Sequence, residues 1–293
     1  MPHQGEQTVQ RRAGVTVDHW GSARVDPVIP PVAARFLSRQ RLVVISAVAD
    51  DGAPWASVLT GPPGFATSPD DRTVVTDRVP GPGDPLADRF DIEHDLGMLI
   101  IDPVTRRRMR VNGRARRDGH RLLVRTEQVY SNCPKYIQTR TFGDDEAPVH
   151  RAVAAGTELT AGQRRWIADA DTFFVGTYAA GHGADASHRG GNPGFVTVAG
   201  NRLTWPDYRG NSMYMTLGNL QLEPRCGLLF PDWDNGRTLH LTGRATVDWD
   251  PGRASAVPGA QRLVDFDVER VVEVSGGLPR RWTFGGYSRF NPA

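Results

Sequence analysis

The feature that most constrains this chain is a repeat inside it. Residues 56–118 align without a gap on residues 186–248, a constant displacement of 130 positions. Eighteen of these sixty-three positions carry the same residue. Unrelated segments of ordinary composition would share about four, at roughly one match in fifteen. The matches are grouped. One block is G-x-P-G-F, with Gly61, Pro63, Gly64 and Phe65 repeated as Gly191, Pro193, Gly194 and Phe195. Another is G-R-A, with Gly113, Arg114 and Ala115 repeated as Gly243, Arg244 and Ala245. The period is too long for a solenoid, so the reading is two copies of one small domain.

The chain has 293 residues, room for two domains that each bury a core. A formal net charge of +2 gives no bulk field toward nucleic acid. Every basic residue except Lys135 is Arg, and runs such as Arg106 to Arg108 are expected on solvated surface, with a phosphate-binding patch as the alternative. Cys133 and Cys226 are too few for a disulfide framework, and Cys226 is expected in the core. No apolar run has the length of a signal peptide or a membrane span, so a cytoplasmic protein is expected.

Along the chain, residues 3–14 read as a short helix stopped by Gly14, residues 18–31 as a Pro-rich connector, and residues 31–39 as a second helix. Leu42 to Val48 and Trp55 to Leu59 form a hairpin across a D-D-G turn. Thr73 to Thr76 is a strand and Leu86 to Asp95 a helix. Strands follow at Leu96 to Ile101, Arg108 to Arg114 and Leu122 to Tyr130. Residues 143–150 read as a linker, and Thr160 with Gln163 has capping-box spacing. The same order then recurs: Phe173 to Tyr178, Gly194 to Thr197, Leu203 to Trp205, a helix near Tyr214 to Leu222, Cys226 to Phe230, Thr238 to Ala245 and Val264 to Val274. An insertion near Pro251 to Gly259 separates the last strand from its counterpart. The domain boundaries are an N-terminal arm over 1–35, a first copy over 36–142, linker and helix over 143–166, and a second copy over 167–293. Short strands with Gly-rich corners point to a closed or partly closed antiparallel barrel in each copy.

Phosphate loops, Rossmann fingerprints, zinc-ligand spacings and nucleophile elbows are missing from the sequence. Polar loops remain. His188, Arg189, Gly190 and Gly191 place an Arg fork beside exposed backbone. Tyr208, Arg209, Gly210, Asn211 and Ser212 precede a helix whose start could hold a phosphate, and Asn219 could meet a heterocycle edge. Each also reads as a capped turn. Asn132, Cys133, Pro134, Lys135, Tyr136, Ile137 and Gln138 follow the last strand of copy one with no counterpart in copy two, and hold the single Lys. No residue stands out as a general acid or base.

Several stretches together resemble the pyridoxamine 5′-phosphate oxidase-like flavin-nucleotide-binding proteins, in their long bacterial form with two split-barrel halves. They are H-x-G-E at 3–6, N-C-P-K-Y-I-Q at 132–138, S-H-R-G-G-N-P-G-F at 187–195, G-N at 210–211, T-L-G-N-L at 216–220, G-L-L-F at 227–230 and L-T-G-R-A at 241–245. The resemblance implies a mainly β (α+β) fold of tandem split β-barrels with short peripheral helices. It implies FMN, or FAD, in a cleft between the halves, and an oxidoreductase acting on a small molecule with an electron donor or acceptor. A non-catalytic flavin or haem carrier, and a homodimer, are left open. By similarity Tyr208 to Ser212 lies at the flavin phosphate, His188 to Gly191 on a flanking strand, and Asn132 to Gln138 reaches across from the other half. The true oxidase's R-L-H-D-R substrate motif and Ser-x-Lys phosphate pair are not reproduced, which argues against vitamin B6 oxidation. Gly81 to Pro85 has lost the Y-R-G-N pattern, so at most one formed site is expected.

Overall fold

A computed structural model describes residues 2–15, 25–143, 152–278 and 282–293. The arm carries α1 (Gln4–Arg12) and α2 (Pro31–Leu37). The first repeat follows as β1 (Leu42–Val48), β2 (Pro54–Thr60), β3 (Ala66–Thr67), β4 (Thr73–Thr76), β5 (His94–Asp102), β6 (Arg107–Asp118) and β7 (Arg121–Ser131). Then come β8 (Thr139–Phe142), β9 (Val153–Gly156) and α3 (Ala161–Asp169), which has the expected capping box. The second repeat is β10 (Thr172–Ala179), β11 (Gly183–Gly190), β12 (Thr197–Ala199), β13 (Arg202–Tyr208), α4 (Met215–Leu222), β14 (Arg225–Asp232), β15 (Arg237–Asp248), α5 (Pro251–Ser255) and β16 (Ala260–Val274). A final strand, β17 (Trp282–Gly286), pairs with β8. Most of the expected connector and linker, residues 18–24 and 144–150, lies outside the described residues.

The two sheets have one topology. The first runs β2-β1-β5-β6-β7-β4-β3 and the second β11-β10-β14-β15-β16-β13-β12, with β9 added beside β16. All pairings are antiparallel, and each sheet stays open between its edge strands, so the halves are split and not closed barrels. Register proves the duplication residue by residue. Gly97 pairs with Asn112 and Gly227 with Thr242, and the bulge between Asn112 and Gly113 recurs between Thr242 and Gly243. The G-x-P-G-F blocks fold alike: Gly64 and Gly194 have φ of 94° and 89°, and a Cβ on Gly61 or Gly191 would lie 2.5 Å from the following Phe ring. Only a residue without a side chain fits there.

Two expectations are corrected. The gapless alignment slips by one residue at β4 and β13, because Val74 pairs with Val124 whereas Leu203, not Thr204, pairs with the equivalent Phe266. Seven residues separate paired Thr67 and Val75, whereas six separate paired Thr197 and Thr204. The helix expected at Leu86 to Asp95 is a series of turns that gives way to β5 at His94. Leu86 and Phe90 act as buried plugs, and Asp84 holds the turn by accepting from Leu86 N and Ser57 Oγ. The equivalent segment of the second repeat keeps its helix as α4.

The halves meet through β1 and β10, with β11 against β5 and β6, and β2 against β14 and β15. Each repeat has its own core, and a third apolar cluster is shared: Leu42, Val44, Ala56 and Leu99 from one repeat with Phe174, Ala186 and Leu229 from the other. Backbones touch at two glycines. A Cβ on Gly97 would lie 2.5 Å from Asp185 Cα, and one on Gly227 would lie 2.5 Å from Trp55 Cα. Asp185 and Trp55 are themselves 130 positions apart, so the seam has an approximate two-fold axis. That axis creates two equivalent crevices, one on each side.

Candidate functional site

Whereas one crevice is lined by single charges of each sign, Arg78 and Asp84, the other is a cleft rich in arginine. Its walls are β6 of the first repeat, β11, the end of β13 and the start of α4 from the second, and the 132–136 loop crossing over them. The space between the walls is about 850 Å³, counting the open mouth. Arg108, Arg110, Lys135 and Arg189 line it against one carboxylate, Asp207.

Alternation along β6 sets the arginines. Met109 and Val111 enter the core of the first repeat, so Arg108 and Arg110 point across the seam. Arg110 Nη1 donates to both oxygens of Asp185, at 3.0 and 3.1 Å, and to Tyr130 Oη at 3.2 Å, while Nη2 donates to Ser187 Oγ. Burial weakens its charge, but Asp185 and Tyr130 outweigh burial and its pKa rises. Arg108 has no carboxylate. Its Nε donates to Cys133 O at 2.9 Å and its Nη1 to His188 Nδ1 at 3.1 Å. Burial, with Arg110 and Arg189 nearby, draws its pKa down to about 9, so it is still a cation at neutral pH.

An arginine only donates, so His188 Nδ1 accepts and the ring proton sits on Nε2. Burial first, then the arginines, hold this histidine neutral, with its pKa well below the ordinary value. His188 Nε2 is buried without a partner, and so are Asn132 Oδ1, Arg189 Nε and Arg110 Nε. Buried polar atoms of this kind are nearly always satisfied, and with Asp207 Oδ2 five residues lining this cleft carry one that is not. Arg189 donates from Nη1 to Ser187 Oγ and His188 O, and burial lowers its pKa. Asp207, raised by burial against the pull of Arg189 and Arg262, stands 3.4 Å from Arg262 Nη1 without an aligned hydrogen bond.

The remaining wall is strained and aromatic. Four non-glycine residues have left-handed backbone among the described residues, and Tyr136, Ser212 and Tyr214 of these line the cleft. Each costs about 1–3 kcal/mol and persists only where its surroundings fix it. Tyr136 and Tyr208 rings lie 5.1 Å apart, and Tyr136 Oη donates to Arg209 O at 3.1 Å. Burial raises both phenol pKa values. Helix α4 begins at this wall with no side-chain cap, and Met215, Thr216 and Leu217 of its first turn line the cleft.

Of the residues expected from sequence, Asn132, Lys135, Tyr136, His188, Arg189, Gly190, Tyr208, Gly210, Asn211 and Ser212 come together here. Asn211 also makes the capped turn, accepting from Met213 N at 3.2 Å. Gly190 is a packing glycine, since a Cβ there would meet Tyr136 O at 2.1 Å. Three residues lie elsewhere. Asn219 is buried beneath α1, bonded to His3 and Thr177. Gln138 ties Gly191 O to the C-terminal Ser288 and Asn291. Arg209 is exposed and offers only its carbonyl. Arg110 was missed and Arg108 was expected on the surface, a phosphate-binding patch being the alternative, because an Arg run in an Arg-rich chain reads as surface. Their two-residue spacing on a strand with an apolar opposite face was the available signal.

Among the described residues no group of three His, Cys, Asp or Glu could hold a metal, and no helix is long and apolar enough to cross a membrane. No family model and no curated protein matches the sequence. Solved structures do match. HupZ of Group A Streptococcus aligns at 11% identity and TM-score 0.32, over 39% of this chain and 98% of that chain. A candidate pyridoxamine 5′-phosphate oxidase from Lactobacillus delbrueckii aligns at 17% identity and TM-score 0.32, over 39% and 93%. An FAD-binding protein from Mesorhizobium loti aligns at 12% identity and TM-score 0.30, over 42% and 98%. These are likenesses of fold, and each spans less than half of this chain.

Proposed function

We propose that this chain is a flavoprotein that holds FMN, or FAD, in the charged cleft and uses it as an oxidoreductase on a small molecule. One observation carries the reading. Arg108, Arg110 and Arg189 converge from both repeats and a carboxylate, Asp185, is bonded to Arg110 alone, leaving positive charge and unmet polar atoms inside a cleft. Such a site favours an anion, and a phosphate group has the shape and charge that guanidinium forks bind.

The residues present fit the group. Arg108, Arg189 and Lys135, with the loop 210–212, would hold its phosphate. Tyr136 and Tyr208 offer ring faces, and His188 Nε2 and Asn132 Oδ1 offer one donor and one acceptor. When bound, the flavin supplies the redox chemistry. The chain's own work is to bind, to orient and to keep water from the inner wall. With His188 held neutral it can donate a hydrogen bond without adding charge. The substrate motif of the true oxidase is missing, so a substrate other than a vitamin B6 phosphate is the reading.

The test is direct titration. FMN should bind with saturable quenching of its fluorescence, and riboflavin, which lacks the phosphate, should bind at least tenfold more weakly. Arg108→Leu should weaken FMN about 10–100-fold, the equivalent of about 1.4–2.8 kcal/mol. No uptake of either FMN or FAD overturns the proposal. A Soret band on the native protein, or bound flavin that NADPH cannot reduce, would favour the carrier instead.

A further inference from the structure

The N-terminal arm makes no wall of the cleft, yet it is fastened to the cleft's strained loop. Helix α1 lies against α4 so closely that a Cβ on Gly5 would fall 2.1 Å from Gly218 O, and one on Gly218 would fall 2.6 Å from Glu6 N. His3 Nε2 donates to Asn219 Oδ1 at 2.9 Å, and the His3 ring stacks on His182 at 4.7 Å. Val9 is buried in the core of the second repeat beside Leu217 and Leu220. This docking places Gln10, itself 5% exposed, under the turn that enters α4. Gln10 Nε2 donates to Met213 O at 3.1 Å and reaches Ser212 O at 3.4 Å.

That turn is the one with left-handed Ser212 and Tyr214, at φ of 61° and 58°. Neither is a glycine, so each conformation must be held from outside. A second brace arrives from the same helix: Arg12 lies over Trp249, Arg262 lies over the same ring, and Arg262 also lies over Tyr214. One direct contact from α1, through Gln10, and one relayed through Trp249 and Arg262 therefore converge on residues 212–214.

We propose that Gln10 is a positioning residue for the ligand cleft, holding the Ser212–Tyr214 turn in the shape that receives the anionic end of the ligand. The turn's carbonyls point to Gln10 and not to the ligand, so the arm acts through the loop and never touches what binds. The claim rests on the cleft being the ligand site, but its main readout does not.

Hydrogen exchange of the ligand-free protein gives that readout. In Gln10→Leu, amides of residues 211–215 should exchange at least tenfold faster while those of β14 and β15 are unchanged. FMN affinity should fall about tenfold, with riboflavin affinity altered less than threefold. Val9→Ala loosens the same helix without removing the donor, and should lower the melting temperature while leaving the FMN affinity as it was. If Gln10→Leu does not fold, the wild-type chain decides: at low urea the amides of residues 4–12 and 211–215 should open at one common rate. Unchanged loop exchange in Gln10→Leu, or separate opening rates in the wild type, overturns the proposal. Failure of the wild type to take up FMN overturns the flavin reading alone, and exchange still decides the role of Gln10.

Discussion

The two crevices beside the seam share a backbone and differ in nearly every side chain. Where one has Arg108 and Arg110, the other has Thr238 and His240; where one has His188 and Arg189, the other has Val58 and Leu59. Ser187 accepts from two arginines, whereas its equivalent Ser57 donates to Asp84. His240 is fully satisfied, bonded to Ala56 O and Thr238 Oγ1 at 2.9 Å each, while His188 keeps an unpartnered Nε2. The first repeat lines its crevice with a turn, leaving about 560 Å³ with the mouth counted, against about 850 Å³ beside α4. A fold therefore fixes where a cleft can lie, and side chains fixed by sequence decide which charges and unmet polar atoms line it.

The largest test removes the charge on one side. Arg110→Met leaves Asp185, which is fully buried, without its cation, and should cost about 3–5 kcal/mol in urea denaturation. His240→Met on the quiet side should cost only about 1–2 kcal/mol, the loss of neutral hydrogen bonds. Equal costs would break the contrast.

The arm adds a pH signature to the ligand side alone. Burial, opposed by the His3 N–H bond and aided by Asp185, pushes the Glu6 pKa up to about 7 from 4.5. The folded state then holds this proton more tightly than the unfolded state. Its contribution is complete below pH 4.5 and is lost as pH rises, by roughly 3 kcal/mol at pH 7. His3, lowered chiefly by burial, works the opposite way, its contribution lost as pH falls below 6.5. The difference between wild type and Glu6→Gln isolates the carboxyl. It should decline between pH 4.5 and 7 in chemical denaturation, and a flat difference would refute the assignment.

The glycines test the shared backbone. Gly97→Ala and Gly227→Ala each force a Cβ against the opposite main chain, and each should cost about 1–3 kcal/mol. Matching values sharpen the two-fold description, and a clear inequality breaks it. The smallest effect belongs to the surface. Arg270 pairs with Asp51 across the quiet side only, since the equivalent positions on the ligand side are Gln128 and Gly181. Arg270→Ala should change stability by about 0.5 kcal/mol or less.

Much of the fold was legible because each repeat states it independently. Apolar runs such as Leu42 to Val48 and the capping box at Thr160 needed only local chemistry. The helix misplaced at Leu86 shows the limit. Leu86 and Phe90 stand four apart as a helix face would, but tertiary plugging, with Asp84 bonded to Ser57, overrides that periodicity. The candidate cleft was half legible. Loops announce themselves by Gly, Asn and Tyr, so the 208–212 and 132–136 segments could be named. Arg108 and Arg110 could not, because the other repeat covers their face, and nothing along β6 says which strand face meets a partner. Asn219 looked like a ligand group for the same reason in reverse: its partners, His3 and Thr177, come from far along the chain.

The covalent join between the repeats has one more consequence. In a pair of identical subunits every substitution is made twice, so a change that helps one crevice is imposed on its mirror image. A single polypeptide escapes that coupling. One side can lose its guanidinium groups while the other keeps them, and the tethered molecule becomes a natural setting for a single arginine-lined cleft per pair of barrels.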